Sequence, residues 1–230
     1  MQDAIAIIPA RGGSKRFPRK NLIKLKGVPL FVRVAKTALE SRLFKSVVVS
    51  TEDREIERIG RQEGLDVFVR NPLTASDEAT VVDVCFEYFQ VSTESSDRFC
   101  CIYATAALIG VRDLIDSYRL FDIHPTPDCV MGVGEYNLHP FKALGRNDEG
   151  WFEQLFPGRG NVKGQLLPDV VASNGSFYWA STDWFLVNKS FFGERMLVYK
   201  LPEERWQDVD YPEDFVRLER KLEERGTQIV

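Results

Sequence analysis

Five cations, Arg11, Lys15, Arg16, Arg19 and Lys20, fall within ten residues of a 230-residue chain whose net charge is −4. They belong to the segment RGGSKRFPRKN, which directly follows a short apolar run. Gly12 and Gly13 let the backbone turn tightly there and bring N–H groups close to a ligand. Bare N–H groups and converging cations at the end of a buried strand suit a triphosphate better than they suit a solvated basic turn. The spacing is neither GxxxxGK[ST] nor GxGxxG, which removes the main support for a P-loop or dinucleotide reading. Near the other end of the chain, Asp208 and Asp210 alternate in QDVD. In an extended segment both carboxylates face one side and reach a single hard cation. Two suffice for Mg2+, which fills its shell with water and phosphate oxygens. Alone, this pair also reads as a surface turn with Asp210 capping the next helix; beside a triphosphate loop it reads as a metal site. His124 and His139 are too few for a histidine-based centre, so the chemistry rests on carboxylates, cations and backbone.

These groups need a scaffold. Residues 4–10, 45–50, 67–69, 98–103 and 129–134 are short apolar or β-branched runs that read as buried strands. Residues 28–40, 53–63, 80–90 and 114–121 carry helical spacing, with Thr80 or a residue just before it as a cap. Residues 212–225 form an amphipathic pattern with Phe215, Leu218 and Leu222 on one face. Strands alternating with helices through short loops predict an α/β fold with a mostly parallel sheet, helices on both faces and a single domain over 1–230. Ligands of such sheets bind outside the carboxyl ends of the strands, which places the cationic loop and the tip after Tyr103 on the ligand side. Between 136 and 174 the rhythm fails among prolines and glycines, predicting an irregular arm that serves as a lid or a subunit contact. Cys85, Cys100, Cys101 and Cys129 lack CxxC spacing and read as buried, reduced thiols. The acidic balance argues against nucleic-acid or membrane-surface partners, and no apolar run reaches bilayer length. No signal-peptide pattern is present, so the expected location is cytoplasmic.

The segment IIPARGGSKRFPRKN, residues 7–21, resembles the N-terminal signature of the CMP-sialic acid synthetase family, which includes the CMP-pseudaminic and CMP-legionaminic acid synthetases. It matches the pattern IIPARGGSKxxPxKN without a gap; CMP-Kdo synthetases have a related version lacking the double glycine. The resemblance extends over residues 5–215 and is most dilute at 135–172. It implies a Rossmann-like three-layer sandwich of the nucleotide-diphospho-sugar transferase type, with a small dimerisation arm and a homodimer. It also implies Mg2+-dependent transfer of CMP from CTP to the anomeric hydroxyl of a nine-carbon acidic sugar, a nonulosonic acid, with release of pyrophosphate.

Carried over to this sequence, Arg11, Ser14, Lys15 and Lys20, on the Gly12-Gly13 turn, would hold the CTP phosphates. Asn21 would contact ribose or base, and Arg70, Asp77 and Thr80 would help to build the cytosine pocket. Asp208 and Asp210 match QDxDxxxD and would hold Mg2+; Arg11, Lys20 and Asp210 would be the catalytic groups. The sugar contacts implied are Tyr103, Thr105, Lys142, Gln165, Asn174 and Tyr178, together with Phe191 and Phe192, which resemble an aromatic pair that reaches across a dimer interface. Each of these sugar positions reads equally as packing. The sequence departs from the pattern where YATAAL stands for PTxPL, and where Lys163 or Gly164 stands for an arginine. Two other readings accompany this one. The first is a nucleotidyltransferase for another NTP or another sugar acid such as Kdo. The second is a nucleotide-binding homologue with impaired catalysis, which the lost prolines and arginine favour.

Overall fold

The computed structural model describes residues 3–123 and 127–227, so His124 lies outside the described residues. The first strand, β1 (Ala4–Pro9), is buried along its length and sits in the middle of the molecule. A two-residue hairpin follows, β2 (Lys24–Leu25) and β3 (Val28–Pro29), turned at Lys26 and Gly27, both with positive φ. That left-handed pair matches the twist a tight hairpin needs. It shortens the predicted helix, so α1 spans Leu30–Ser41. Strand β4 (Phe44–Thr51) leads to α2 (Arg54–Gln62), capped by Asp53, whose carboxylate accepts the N–H groups of Glu55 and Ile56. Next come β5 (Asp66–Val69) and α3 (Val81–Val91), which starts on a reciprocal capping box between Thr80 and Asp83. Then follow β6 (Arg98–Ile102), α4 (Val111–Ile123) and β7 (Cys129–Glu135). The irregular segment holds one small hairpin, β8 (Leu144–Arg146) and β9 (Phe152–Gln154). The chain ends with β10 (Val171–Ser181), α5 (Thr182–Asn188), β11 (Met196–Lys200) and α6 (Pro212–Thr227).

Seven strands form one sheet in the order β11-β7-β10-β6-β1-β4-β5. All neighbours are parallel except β10, which runs antiparallel to both β6 and β7. Alternation along β1 sends Ala4, Ala6 and Ile8 to a core shared with α1, α2 and α4, and Ile5 and Ile7 to a second core with α3 and α5. The result is the expected α/β three-layer sandwich. Trp179 on β10 is fully buried, stacks on Phe44 at 5.2 Å and donates from Nε1 to Ser117 Oγ at 3.0 Å. All four cysteines are free and buried.

The irregular segment is shorter than predicted at its far end. Residues 171–173 already pair with β7, Val171 opposite Glu135, although Asn174 and Gly175 resemble loop residues. Gly175, at φ +66°, marks a register shift between Ser173 and Tyr178 inside the long strand. No helix among the described residues is long and apolar enough to cross a membrane.

Candidate active site

A cleft of about 310 Å³ opens at the carboxyl edge of the sheet. Its walls come from the cationic loop after β1, the turn between β5 and α3, the tip after β6 and the strap before α6. Segments from both ends of the chain meet there. Lys20 Nζ donates to the carbonyl of Val209 at 2.7 Å and pairs with Asp210 at 3.0 Å, across 190 positions of sequence.

The cationic loop is braced from below. Gly12 N–H donates to Glu52 Oε1 at 2.8 Å, so this amide is already satisfied by the protein. A Cβ on Gly12 would fall 2.2 Å from Asp53 Oδ2, which is why no larger residue fits. Asn21 is 4% exposed and donates from Nδ2 to the Arg11 carbonyl at 2.9 Å, closing the loop from within. Phe17 packs edge-on against Phe215, fixing the loop to α6. Gly13 and Lys15 lie on the exposed outer lip, and Ser14 is half-buried between them.

Each loop cation faces an acid. Arg11 and Lys15 pair with Asp77 at 3.1 and 2.5 Å, and Arg11 also donates to the carbonyl of Ser76. Arg16 joins Lys20 on Asp210, at 2.6 Å, while Arg19 pairs with Asp53 and Glu55. The hydrogen bond from Lys15, followed by the charges of Lys15 and Arg11, holds the Asp77 carboxyl below the usual carboxylate range. Asp77 therefore faces Arg11 and Lys15 of the cationic loop, while the Thr80 side chain caps α3. Arg70 is buried behind the same wall, its guanidinium 3.1 Å from Glu52 Oε2. Burial lowers the Arg70 pKa and the Glu52 charge opposes that shift.

The strap carries the aspartate pair. Val209 is fully buried, which turns its two neighbours outward. Asp214, four residues on, accepts the N–H groups of Asp210 and Tyr211 at 3.1 and 2.9 Å. Capping at the start of α6 thus belongs to Asp214, and the side chain of Asp210 is left to the cleft. Asp208 is exposed at the rim. Even so, partial desolvation and then the charge of Asp210 raise its pKa, with Lys20 opposing. Upstream, Arg205 anchors the strap through Asp113, a fully buried carboxylate at 2.8 Å that also accepts from Tyr199 and from Gly110 N–H.

Of the predicted sugar contacts, Tyr103 and Thr105 line the cleft. Burial first, then nearby thiol and phenol groups, push the Tyr103 pKa up. Tyr178 packs against Tyr103 at 5.7 Å and bonds through its hydroxyl to Ser173 at 2.5 Å. Asn174 is buried on β10, its Oδ1 accepting from Ser176 N–H while its Nδ2 has no partner among the described residues. Six positions, Asn174 and Tyr178 among them, are not part of the cleft lining. Lys142 and Gln165 are exposed on the arm. His139 orders that arm: its Nδ1 accepts Phe141 N–H, so Nε2 carries the proton and donates to the Pro168 carbonyl at 3.0 Å. Phe191 is 2% exposed among Phe99, Tyr178 and Phe185, whereas Phe192 is 68% exposed. Adjacent residues point opposite ways here, so within one chain the two rings do not act as a pair. Glu52, Asp53 and Asp113 were not among the predicted site residues. The signal for the first two is an acidic pair placed directly after a buried β-branched strand.

A cytidylyltransferase family profile matches residues 5–118. The N-acylneuraminate cytidylyltransferase of Streptococcus agalactiae serotype V is 29% identical over 93% of this chain and 52% of its own. The chain thus spans about half the length of that relative. The pseudaminic acid cytidylyltransferase of Campylobacter jejuni is 31% identical over 91% of this chain and 92% of its own. In fold, the chain is similar to a CMP:2-keto-3-deoxy-manno-octonic acid synthetase solved with CTP. The TM-score is 0.72 over 97% of this chain and 100% of that one, at 17% identity.

Proposed function

Since the chain belongs to the CMP-sialic acid synthetase family of cytidylyltransferases, we propose that it transfers CMP from CTP to the anomeric hydroxyl of a nonulosonic acid. The observation that carries this reading is the meeting, in one cleft, of the cations that follow β1 and the Asp208–Asp210 pair that precedes α6. The hydroxyl oxygen bonds to the α-phosphorus and gives up its proton to solvent, the bond from that phosphorus to the α–β bridging oxygen breaks, and pyrophosphate leaves. Such a step needs positioning and charge neutralisation more than a covalent nucleophile. Arg11, Lys15, Arg16 and Lys20 each pair with a carboxylate of the protein. A triphosphate presents the same charge with more acceptor oxygens, so it displaces Asp77 and Asp210 as their counter-ions and is held by the same cations. Tyr103 and Thr105 border the space in which the acceptor would lie.

The aspartate pair fits Mg2+. Among the described residues no group of three or more His, Cys, Asp or Glu converges, so the protein offers part of a shell and not a cage. Partial desolvation and then the charge of Asp210 raise the Asp208 pKa, and a divalent cation would relieve the repulsion between the two carboxylates. Asp208 and Asp210 would hold Mg2+, which would supply positive charge against the triphosphate and lower the pKa of the attacking hydroxyl.

A homodimer is part of the proposal, supported by Leu138, Trp151, Phe152 and Leu166, all more than two-thirds exposed on the arm. A cytoplasmic location agrees with four free cysteines. The test measures pyrophosphate release with each of the four NTPs and Mg2+, against a panel of sialic, pseudaminic and legionaminic acids and Kdo. CTP-specific, acceptor-dependent release with formation of a CMP-sugar is expected. Release that is equal for UTP, or independent of every acceptor, would sink the reading. Asp210→Asn should abolish turnover at saturating Mg2+.

A further inference from the structure

We infer that Glu52 is a positioning residue that couples the two ends of the nucleotide site, setting the phosphate loop with one carboxylate oxygen and Arg70 with the other. The inference rests on the nucleotide reading above. Glu52 directly follows β4, so a central strand fixes its backbone. Its Oε1 accepts Gly12 N–H at 2.8 Å, and its Oε2 lies 3.1 and 3.4 Å from Nη2 and Nε of Arg70. Arg70 has only 2% of its side chain exposed, so its charge must be balanced where it stands. A second acid, Glu87, takes Asn71 N–H at 2.6 Å and the hydroxyl of Thr74, and so anchors the turn beyond Arg70 instead.

Two consequences follow. Gly12 N–H is not free to bind phosphate; it is the point at which the loop is hung from β4. Arg70 borders the cleft beside Thr74, Ser76 and Thr80. A shift of the Glu52 carboxylate therefore moves the phosphate-binding backbone and the Arg70 wall together. Both walls then reach a triphosphate nucleotide already set at a fixed spacing, and less ordering cost is left for binding.

Glu52→Gln and Glu52→Ala separate the two contacts. The isosteric amide retains an acceptor for Gly12 N–H and loses the charge facing Arg70. Alanine loses both. Titration calorimetry with CMP and with CTP and Mg2+, alongside thermal melting, reads the difference. For Glu52→Gln the Kd of CMP and of CTP should rise by the same factor, about tenfold for one charge-assisted contact. For Glu52→Ala, CTP should weaken several-fold more than CMP, because only CTP uses the loop for its terminal phosphates. Wild-type affinities in Glu52→Gln, or an equal CMP-to-CTP ratio in both variants, would overturn the inference. Wild-type protein binding UTP as tightly as CTP would contradict the functional reading instead, and the pattern across the variants would still decide the role of Glu52.

Discussion

A methyl group on Gly12 would lie 2.2 Å from Asp53 Oδ2 and 2.9 Å from Asp53 Cβ and Cγ. The carboxylate has little room to retreat. Its Oδ1 caps α2 through Glu55 and Ile56 N–H at 2.9 and 3.0 Å, and its Oδ2 faces Arg19 at 3.3 Å. Because Cβ is also too close, rotating the carboxylate does not clear the overlap. Gly12→Ala therefore loses a helix cap, about 1 kcal/mol, and overpacks a rigid contact, about 1–3 kcal/mol. The sum is roughly 2–4 kcal/mol, a fall in Tm of roughly 4–16 °C for a chain of this length. Gly13→Ala is the control, because nothing lies within 4 Å of its Cβ and its stability should stay within about 0.5 kcal/mol of wild type. The decisive measurement is a double-mutant cycle with Asp53→Gly, which removes Cβ as well as the carboxylate, followed by thermal and urea unfolding. Once that side chain is gone, Gly12→Ala should cost less than about 1 kcal/mol. An equal cost in both backgrounds would refute the steric argument, as would equal melting of the Gly12 and Gly13 variants.

The other expectations concern the supports around the cleft. Thr80→Ala should lower stability by about 1 kcal/mol through loss of the α3 cap, seen in urea unfolding. The Thr80 N–H and hydroxyl depress the Asp83 pKa, so the Asp83 contribution is complete above the ordinary Asp range and is lost as pH falls through the depressed value. Melting of wild type and Asp83→Asn should accordingly differ at pH 7, begin to converge below about pH 4 and meet only below the depressed value. Asp113→Asn leaves Arg205 without its counter-charge and should cost about 2 kcal/mol. Because it loosens the strap, it should also raise the Mg2+ concentration needed for half-maximal turnover. Trp151→Ser combined with Phe152→Ser should halve the mass seen by light scattering while leaving the far-ultraviolet circular dichroism unchanged.

What the sequence disclosed, and what it withheld, follows from the range of the interactions. β1, β4, β6 and β7 were legible because buried parallel strands read as unbroken apolar or β-branched runs. α3 was legible through Thr80, a local cap. β2 and β3 were missed because two-residue strands leave almost no pattern. The start of β10 was misplaced because Ser173, Asn174 and Gly175 are polar or small, and their pairing depends on β7 about forty positions earlier. Within the cleft, the loop cations and the aspartate pair could be picked out by type. Their counter-ions could not. That Asp77 faces Arg11, or Asp210 faces Arg16, is decided by how distant segments fold together. The split between Phe191 and Phe192 is of the same kind, since a dipeptide does not say which ring meets Phe99.

The excursion between β7 and β10 leaves the sheet at Glu135 and returns at Val171, two residues directly opposite one another. Its ends are therefore closed by the ladder itself, whatever lies between them. Loop-closure entropy rises only logarithmically, so doubling such an excursion costs about 0.6 kcal/mol. Residues 136–170 can lengthen, shorten or change composition at little expense to folding, while the cleft, built on other strands, stays as it is. The placement makes the span between β7 and β10 an interchangeable part, free to drift in sequence without rebuilding the strands that carry the cleft.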